Sequence, residues 1–384
     1  MLSNPTAAIL LAMALVISCL DIPPKTTDDK ENIAITTDNN GMPIETHTLQ
    51  TDHDKRHKES SIFPVVTREA EQERLDIDSG NYSGITYISQ NRDSTYRFAI
   101  VDDKLPDGGL AYLDVPISED GTADGTKARL TLLNGTTKAS TYSDNEGIAF
   151  DGKTFWVAAE KNQTICQYDI LGNPTGRALD IPEYLGPKHI HKNKGFEALT
   201  YQSNAKALWT TTEEPLLDNA GERTHIIQCF ALNGSYSCHY VYEGDSPTVS
   251  DSLAKAAKAY ICGIPAMTML PDGILLVLER ELYVPDMMPD GWCNIRIYAT
   301  DTRQNPGDTL QKTLLHEFST GCDGLMPWLA NYEGMCLGPV LNGKRTLVLI
   351  NDSQNGMRDV LGINITFEYI KILLINPDKT SLLP

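Results

Sequence analysis

Carboxylates return along this chain at matched places. Five phrases share one form: NYSGITYIS (81–89), DNEGIAFDG (144–152), KGFEALTYQ (194–202), GIPAMTMLPDG (263–273) and NYEGMCLGP (331–339). Aligned on Gly84, Gly147, Ala198, Ala266 and Gly334, they put Glu146, Glu197 and Glu333 immediately before the aligned residue. Ser83 and Pro265 hold that place in the other two. A strand-like apolar run follows each phrase and ends in acid: Asp102 and Asp103, Glu160, Glu213 and Glu214, Glu279 to Glu281 around Arg280, and Asn351 with Asp352. Carboxylates brought together raise one another's pKa, so a cation, the interleaved Arg280 and Lys194, or retained protons must answer their charge. Oxygen-only ligands suit Ca²⁺ first, then Mg²⁺ or Mn²⁺. The same residues also read as staples, each Glu accepting backbone hydrogen bonds from a neighbouring unit.

A basic stretch, Lys188-His189-Ile190-His191-Lys192-Asn193-Lys194, runs directly into Gly195-Phe196-Glu197. Standing over an acidic site, Lys188, His189, His191 and Lys194 would offer donors to a small anionic or ester substrate; the other reading is a solvated loop. There is no Gly-x-Ser-x-Gly elbow for a serine triad, and Ser252-x-x-Lys255 lacks the Ser-Asp-Asn partner its spacing would need. No Cys/His cluster has zinc spacing.

These residues need a scaffold that brings equivalent positions to one height. The aligned phrases are 63, 51, 68 and 68 residues apart, and each opens a strand-turn-strand-turn-strand unit whose third strand is LAYLDV, TICQYDI, HIIQCFAL, NIRIYAT or IKILLIN. A repeated antiparallel unit closes most naturally into an all-β propeller, with first strands lining a central channel. Five repeats are visible, and the length from Ser61 onward predicts six blades with inserted loops. The N-terminal runs IFPVV and ERLDI are expected to add outer strands to the last blade and close the ring. One short helix is expected over Asp251–Tyr260, capped by Ser250. Asn233-Gly234 predicts a two-residue hairpin turn that sets Cys229 opposite Cys238, a pair able to form a disulfide. Cys293 and Cys322 form a second candidate pair, while Cys166 and Cys336 read as buried thiols.

The remaining sequence bears on location. Thr6 to Leu20 is uncharged and apolar but shorter than the roughly twenty residues of a spanning helix. It reads as a lipoprotein-type signal peptide over 1–19, with Val16-Ile17-Ser18-Cys19 making Cys19 the lipidated residue, although the n-region has no Lys or Arg. Residues 20–60 read as a disordered polar tether, leaving 61–384 as the folded domain, held to a membrane only through the lipid. The net charge of −19, from 32 Lys+Arg against 51 Asp+Glu, argues against nucleic acid, whose phosphates demand a surplus of bases.

The phrases NEGIAFDGKTFWVAAE, NKGFEALTY, LWTTTEEPL, LLVLERE, YEGMCLGP and RTLVLINDSQN resemble the exported bacterial phytase-like family, named for the esterase-like activity of phytase. The likeness spans most of residues 80–375. It implies a hydrolase of phosphate or carboxylate esters, and on matching positions points to Glu146, Glu160, Glu197, Glu213, Glu279, Arg280, Glu333, Asn351 and Asp352. Pro265 departs from the pattern, where a glutamate equivalent to Glu197 is missing. A looser resemblance to calcium-dependent lactonase propellers implies a Ca²⁺ held by Glu146, Glu333, Asn351 and Asp352, with Glu197 as general base; Glu279 is read as a further metal ligand, and Glu160, Glu213 and Arg280 as the other catalytic residues. A non-catalytic binding propeller stapled by its acids is the competing expectation.

Overall fold

The computed structural model describes residues 62–103, 109–133, 144–219, 223–285, 291–323, 326–327, 329–356 and 366–376. The residues read as a signal peptide with Cys19, those read as a tether, and the side chain of Cys322 lie outside them. Two strands precede the repeats, β1 (Val65–Glu69) and β2 (Glu73–Arg74). The first sheet holds β3 (Tyr82–Gln90), β4 (Thr95–Asp102), β5 (Leu110–Pro116) and β6 (Arg129–Leu132). The second holds β7 (Asn145–Phe150), β8 (Phe155–Ala159), β9 (Thr164–Tyr168) and β10 (Pro174–Ala178). The third holds β11 (Phe196–Gln202), β12 (Ala207–Thr212), β13 (Thr224–Ala231) and β14 (Tyr236–Glu243). The fourth runs through β15 (Ala259–Met269), β16 (Ile274–Val284), β17 (Trp292–Asp301), β18 (Lys312–Asp323) and β19 (Met326–Pro327). The fifth joins β20 (Asn331–Leu341), β21 (Lys344–Asp352) and β22 (Tyr369–Asn376).

Both β1 and β2 pair antiparallel with β22, so the strands that precede the repeats complete the last blade and close the ring as expected. First strands neighbour one another in the cyclic order β3, β7, β11, β15, β20 and back to β3. The propeller therefore has five blades, correcting the expected six. The residues set aside for a sixth blade form fourth strands and loops of the other five, because a blade read as three strands undercounts its own length.

Alternating apolar residues on each blade must be buried between neighbours. Five clusters do this, one per interface: Val101 and Leu110 with Phe155 and Val157, Trp156 and Ile165 with Phe196 and Phe230, Trp209 and Ile227 with Leu275 and Val277, Leu276 and Ile295 with Leu347 and Leu373, and Ile350 and Ile372 with Ile100 and Leu113. At the axis the first strands approach so closely that the aligned repeat position favours glycine. A Cβ on Gly147 would sit 2.0 Å from the Glu197 carbonyl oxygen, and one on Gly84 2.6 Å from that of Glu146.

Further along the strands, side chains staple one blade to the next. Thr200 Oγ1 accepts the Met269 N–H at 3.2 Å, Thr268 Oγ1 accepts the Leu337 N–H at 3.2 Å, and the Cys336 sulfur accepts the Tyr87 N–H. The single α-helix among the described residues, α1 (Asp251–Ala256), is shorter than expected, since the chain enters β15 at Ala259. Ser250 caps it through its backbone carbonyl, which accepts the Ala254 N–H at 2.9 Å, with no side-chain cap. No helix among the described residues is long and apolar enough to cross a membrane.

The hairpin also differs from expectation. Ala231 N–H bonds Ser235 O and Gly234 N–H bonds Ala231 O, giving a three-residue loop in which Gly234 alone takes positive φ, 96°. A register shift after Cys229 absorbs the extra residue, so Cys229 still faces Cys238.

Candidate functional site

In every blade the strand pair β3/β4, β7/β8, β11/β12, β15/β16 or β20/β21 slips register near its start. The residue left unpaired in four of them is Ser83, Glu146, Glu197 or Glu333. A bulge turns its side chain out of the normal alternation and aims it where neither sheet face would. The shared phrase thus encodes five bulges around one channel, three of them carrying a carboxylate. In the fourth blade the bulge holds Ile264 and Pro265, and Arg280 arrives from the second strand, opposite Gly263. That glycine leaves room for Glu213, whose Cγ would lie 2.8 Å from an added Cβ.

Arg280 is the hub. Its side chain, 1% exposed, donates to Glu213 through Nη2, and through Nη1 to Glu333 and, at 3.0 Å, to Asn331. Asn331 Nδ2 in turn donates to Glu333 at 2.8 Å. Lys194 Nζ donates to the other oxygen of Glu213 at 2.5 Å. Burial alone would raise Glu213, but the charges of Arg280 and Lys194 outweigh it and hold the carboxyl below the usual range. Burial raises Glu197 well above that range, and the charges of Glu213 and Glu146 push it further. The two are hydrogen-bonded, so Glu197 is the protonated donor and Glu213 the ionised acceptor. Glu146 is likewise raised by burial and by Glu333, opposed by a hydrogen bond from Ser83. Of the three answers open to clustered carboxylates, two operate here: the interleaved bases Arg280 and Lys194, and retained protons.

Around this centre, Glu160 accepts the Gly195 N–H at 2.6 Å. Burial lifts its pKa to about 7, against the pull of that bond. Asp103, Asp144 and Glu146 bring one carboxylate oxygen each to within 4.8 Å of one another. Three half-buried oxygen ligands suit a hard divalent cation; Asp103 and Glu146 were legible separately, as a strand end and a strand start, while Asp144 was not singled out.

The other expected residues are distributed more widely. Asn351 donates to Phe367 O at 3.0 Å and accepts the Tyr369 N–H at 2.5 Å, tying β21 to the chain entering β22. Asp352 accepts the Gln354 N–H at 2.7 Å. Glu279, on the face of β16 opposite Arg280, accepts from Tyr242 Oη at 2.6 Å, Asp245 N–H at 2.7 Å and Lys312 Nζ at 2.6 Å. In the basic stretch, Lys188 is exposed and Ile190 is buried in the interface core. His189 Nδ1 lies 2.7 Å from Asp218. His191 is half-buried, with its field felt at Glu214. Lys194 is the member that reaches the carboxylate centre.

Beside Glu333 opens a cavity of about 210 Å³, walled by Ile261, Leu282, Val284 and Leu329, with Asn331 and Asp352 in its polar lining. It is smaller than cavities that take drug-sized ligands. Away from the axis, the Cys229 and Cys238 thiols are free and hydrogen-bonded to each other; that bond holds Cys238 down at about 7 and pushes the buried Cys229 up. Cys166 and Cys336 are buried, as expected.

Five closed blades around a carboxylate-lined channel define a β-propeller with a polar axial site. The chain belongs to the phytase-like family, described as esterase-like activity of phytase, which matches residues 77–354. No curated protein sequence matches the chain. Among solved structures it is similar to a nidogen/laminin complex (12% identity, 77% of this chain and 85% of that chain, TM-score 0.36). It is also similar to Myxococcus xanthus glutaminyl cyclase (10%, 81% and 97%, TM-score 0.37) and to a GH43 endo-arabinanase from Bacillus licheniformis (12%, 78% and 96%, TM-score 0.38). Likenesses this distant carry no argument about the reaction.

Proposed function

We propose that this propeller is a hydrolase of phosphate or carboxylate esters working at the Arg280 centre. The observation that carries the reading is the Glu197–Glu213 pair: Arg280 and Lys194 both bond Glu213 and hold its carboxyl low against burial, while burial raises Glu197. Two acids pushed apart in pKa take different roles at one pH. Glu197, holding its proton, serves as general acid toward a leaving-group oxygen. Glu160, poised at about 7, serves as the base that takes a proton from water. Glu213, fully enclosed, positions Glu197, while Lys194, still 24% exposed, offers charge to an anionic substrate. Asp103, Asp144 and Glu146 would hold a divalent cation, Ca²⁺ by preference, which supplies Lewis acidity toward a carbonyl or phosphoryl oxygen. The cavity beside Glu333 suits a short apolar group of the substrate.

Export with a lipid on Cys19 and a tether over residues 20–60 is part of the same proposal and rests on sequence alone: the apolar run Thr6 to Leu20, its Val16-Ile17-Ser18-Cys19 end and the polar stretch that follows. A second reading, a binding propeller whose acids are staples, draws on the backbone bonds that Glu160 makes to Gly195 and Glu279 to Asp245. Assay of the protein against phosphomonoester, phosphodiester, acyl ester and lactone panels, with Ca²⁺ or with chelator, separates the two. Turnover lost in Glu197→Gln is expected. A folded protein inert on every panel would leave the second reading.

A further inference from the structure

A second cavity, about 320 Å³, opens where the five first strands end, away from their acidic starts, and every blade contributes to its lining. Tyr87, Phe150 and Tyr201 give it aromatic walls; Thr86, Thr200 and Thr268 give it hydroxyls; Arg345 gives it charge. Two features leave the lining rich in unused donors. Thr200 and Thr268 accept backbone N–H groups from the next blade, so each hydroxyl keeps its own proton to donate. Among the described residues neither proton has an acceptor. Arg345 is half-buried on β21 and makes no ion pair among the described residues. Burial draws its pKa below the ordinary arginine value, only partly offset by the field of Asp272. A desolvated cation without a bonded counter-charge is costly, and an anion delivered to it recovers much of that cost. The acidity of the whole protein opposes this weakly, because charges beyond a Debye length of about 8 Å are screened.

We propose that this end of the channel is a binding site for a small organic anion, its charged group held by Arg345 and the threonine hydroxyls and its apolar or aromatic body against Tyr87, Phe150 and Tyr201. The site stands apart from the ester-hydrolase reading and does not depend on it.

Calorimetric titration of the full chain with benzoate, and with benzamide as its neutral counterpart, tests the proposal. Benzoate is expected to bind one per chain, with benzamide at least about tenfold weaker, the worth of a charge-assisted bond. Arg345→Met should weaken benzoate about tenfold and leave benzamide unchanged. Thr86→Val, which removes one hydroxyl and keeps the side-chain shape, should weaken benzoate severalfold even if Arg345→Met fails to fold. Absence of benzoate binding, equal affinity for the two probes, or benzoate affinity unmoved in a folded variant would overturn it.

Discussion

Glu197 on β11 and Glu213, just past the end of the adjacent β12, share a hydrogen bond in which Glu197 keeps the proton and Glu213 the charge. The asymmetry has a source outside the pair. Arg280 crosses from the fourth blade and Lys194 from the preceding loop, and both bond Glu213. Burial, and then the charge that Glu213 retains, raise the Glu197 carboxyl well above the ordinary glutamate range.

Arg280 should therefore be the residue whose loss costs most stability. Arg280→Met strips the counter-charge from two carboxylates, one of them fully enclosed, and breaking one side of a buried ion pair typically costs about 3–5 kcal/mol. Urea unfolding is expected to register a loss of that order. In a Glu213→Gln background the same substitution should cost less, since one of the stranded charges is gone.

Stability should fall as pH rises through neutrality. Burial lifts both Glu160 and Glu368 to about 7, above the ordinary glutamate value, so the folded state binds more protons than the unfolded one between those limits. Their contribution is fully present below the unfolded pKa and is lost as pH rises through about 7. Melting temperatures measured from pH 5 to pH 8 should decline, and Glu160→Gln with Glu368→Gln should flatten the slope. A slope unchanged in both variants would contradict these assignments.

The acidic triad makes a separate prediction. If Asp103, Asp144 and Glu146 hold a divalent cation, Ca²⁺ at a hundred times its Kd should stabilise the fold by about 2.7 kcal/mol. Asp144→Asn should remove most of that gain. No shift with Ca²⁺, Mg²⁺ or Mn²⁺ would show that protons and bases alone balance the channel.

Much of this arrangement was legible in the repeats. The Gly-centred phrase exposed the repeating blade and the channel acids, because each blade repeats the same bulge, and the runs IFPVV and ERLDI exposed the closing strands. Two things were hidden. Blade number depends on fourth strands such as Pro174–Ala178, whose five residues are all exposed and carry no apolar pattern. Which acids meet depends on the face each side chain takes: Glu279 and Arg280 are adjacent in sequence yet point opposite ways, one to Tyr242 and the other to Glu213. The substitution of Pro265 for a glutamate was visible, but the arginine that occupies the gap enters from a different strand.

The hairpin thiols offer a test away from the axis. Cys229 and Cys238 face each other in register and share a hydrogen bond. Glutathione disulfide should take two electrons and two protons from them, giving two glutathione molecules and a Cys229–Cys238 bond. Mass spectrometry should record the loss of two hydrogens, reversed by dithiothreitol and abolished in Cys238→Ser. The loop closed is short, so the stabilisation should stay below the about 3 kcal/mol of a fifteen-residue loop. Two thiols still titratable after oxidation would contradict the pairing.

The neutral state of Glu197 is tested most directly by infrared difference spectroscopy of the carboxylic-acid carbonyl region at pH 7, comparing the protein with Glu197→Gln. A protonated-carboxyl band present in the native protein and missing from the variant is the predicted result. A spectrum without such a band, or one that Glu197→Gln leaves unchanged, would contradict it.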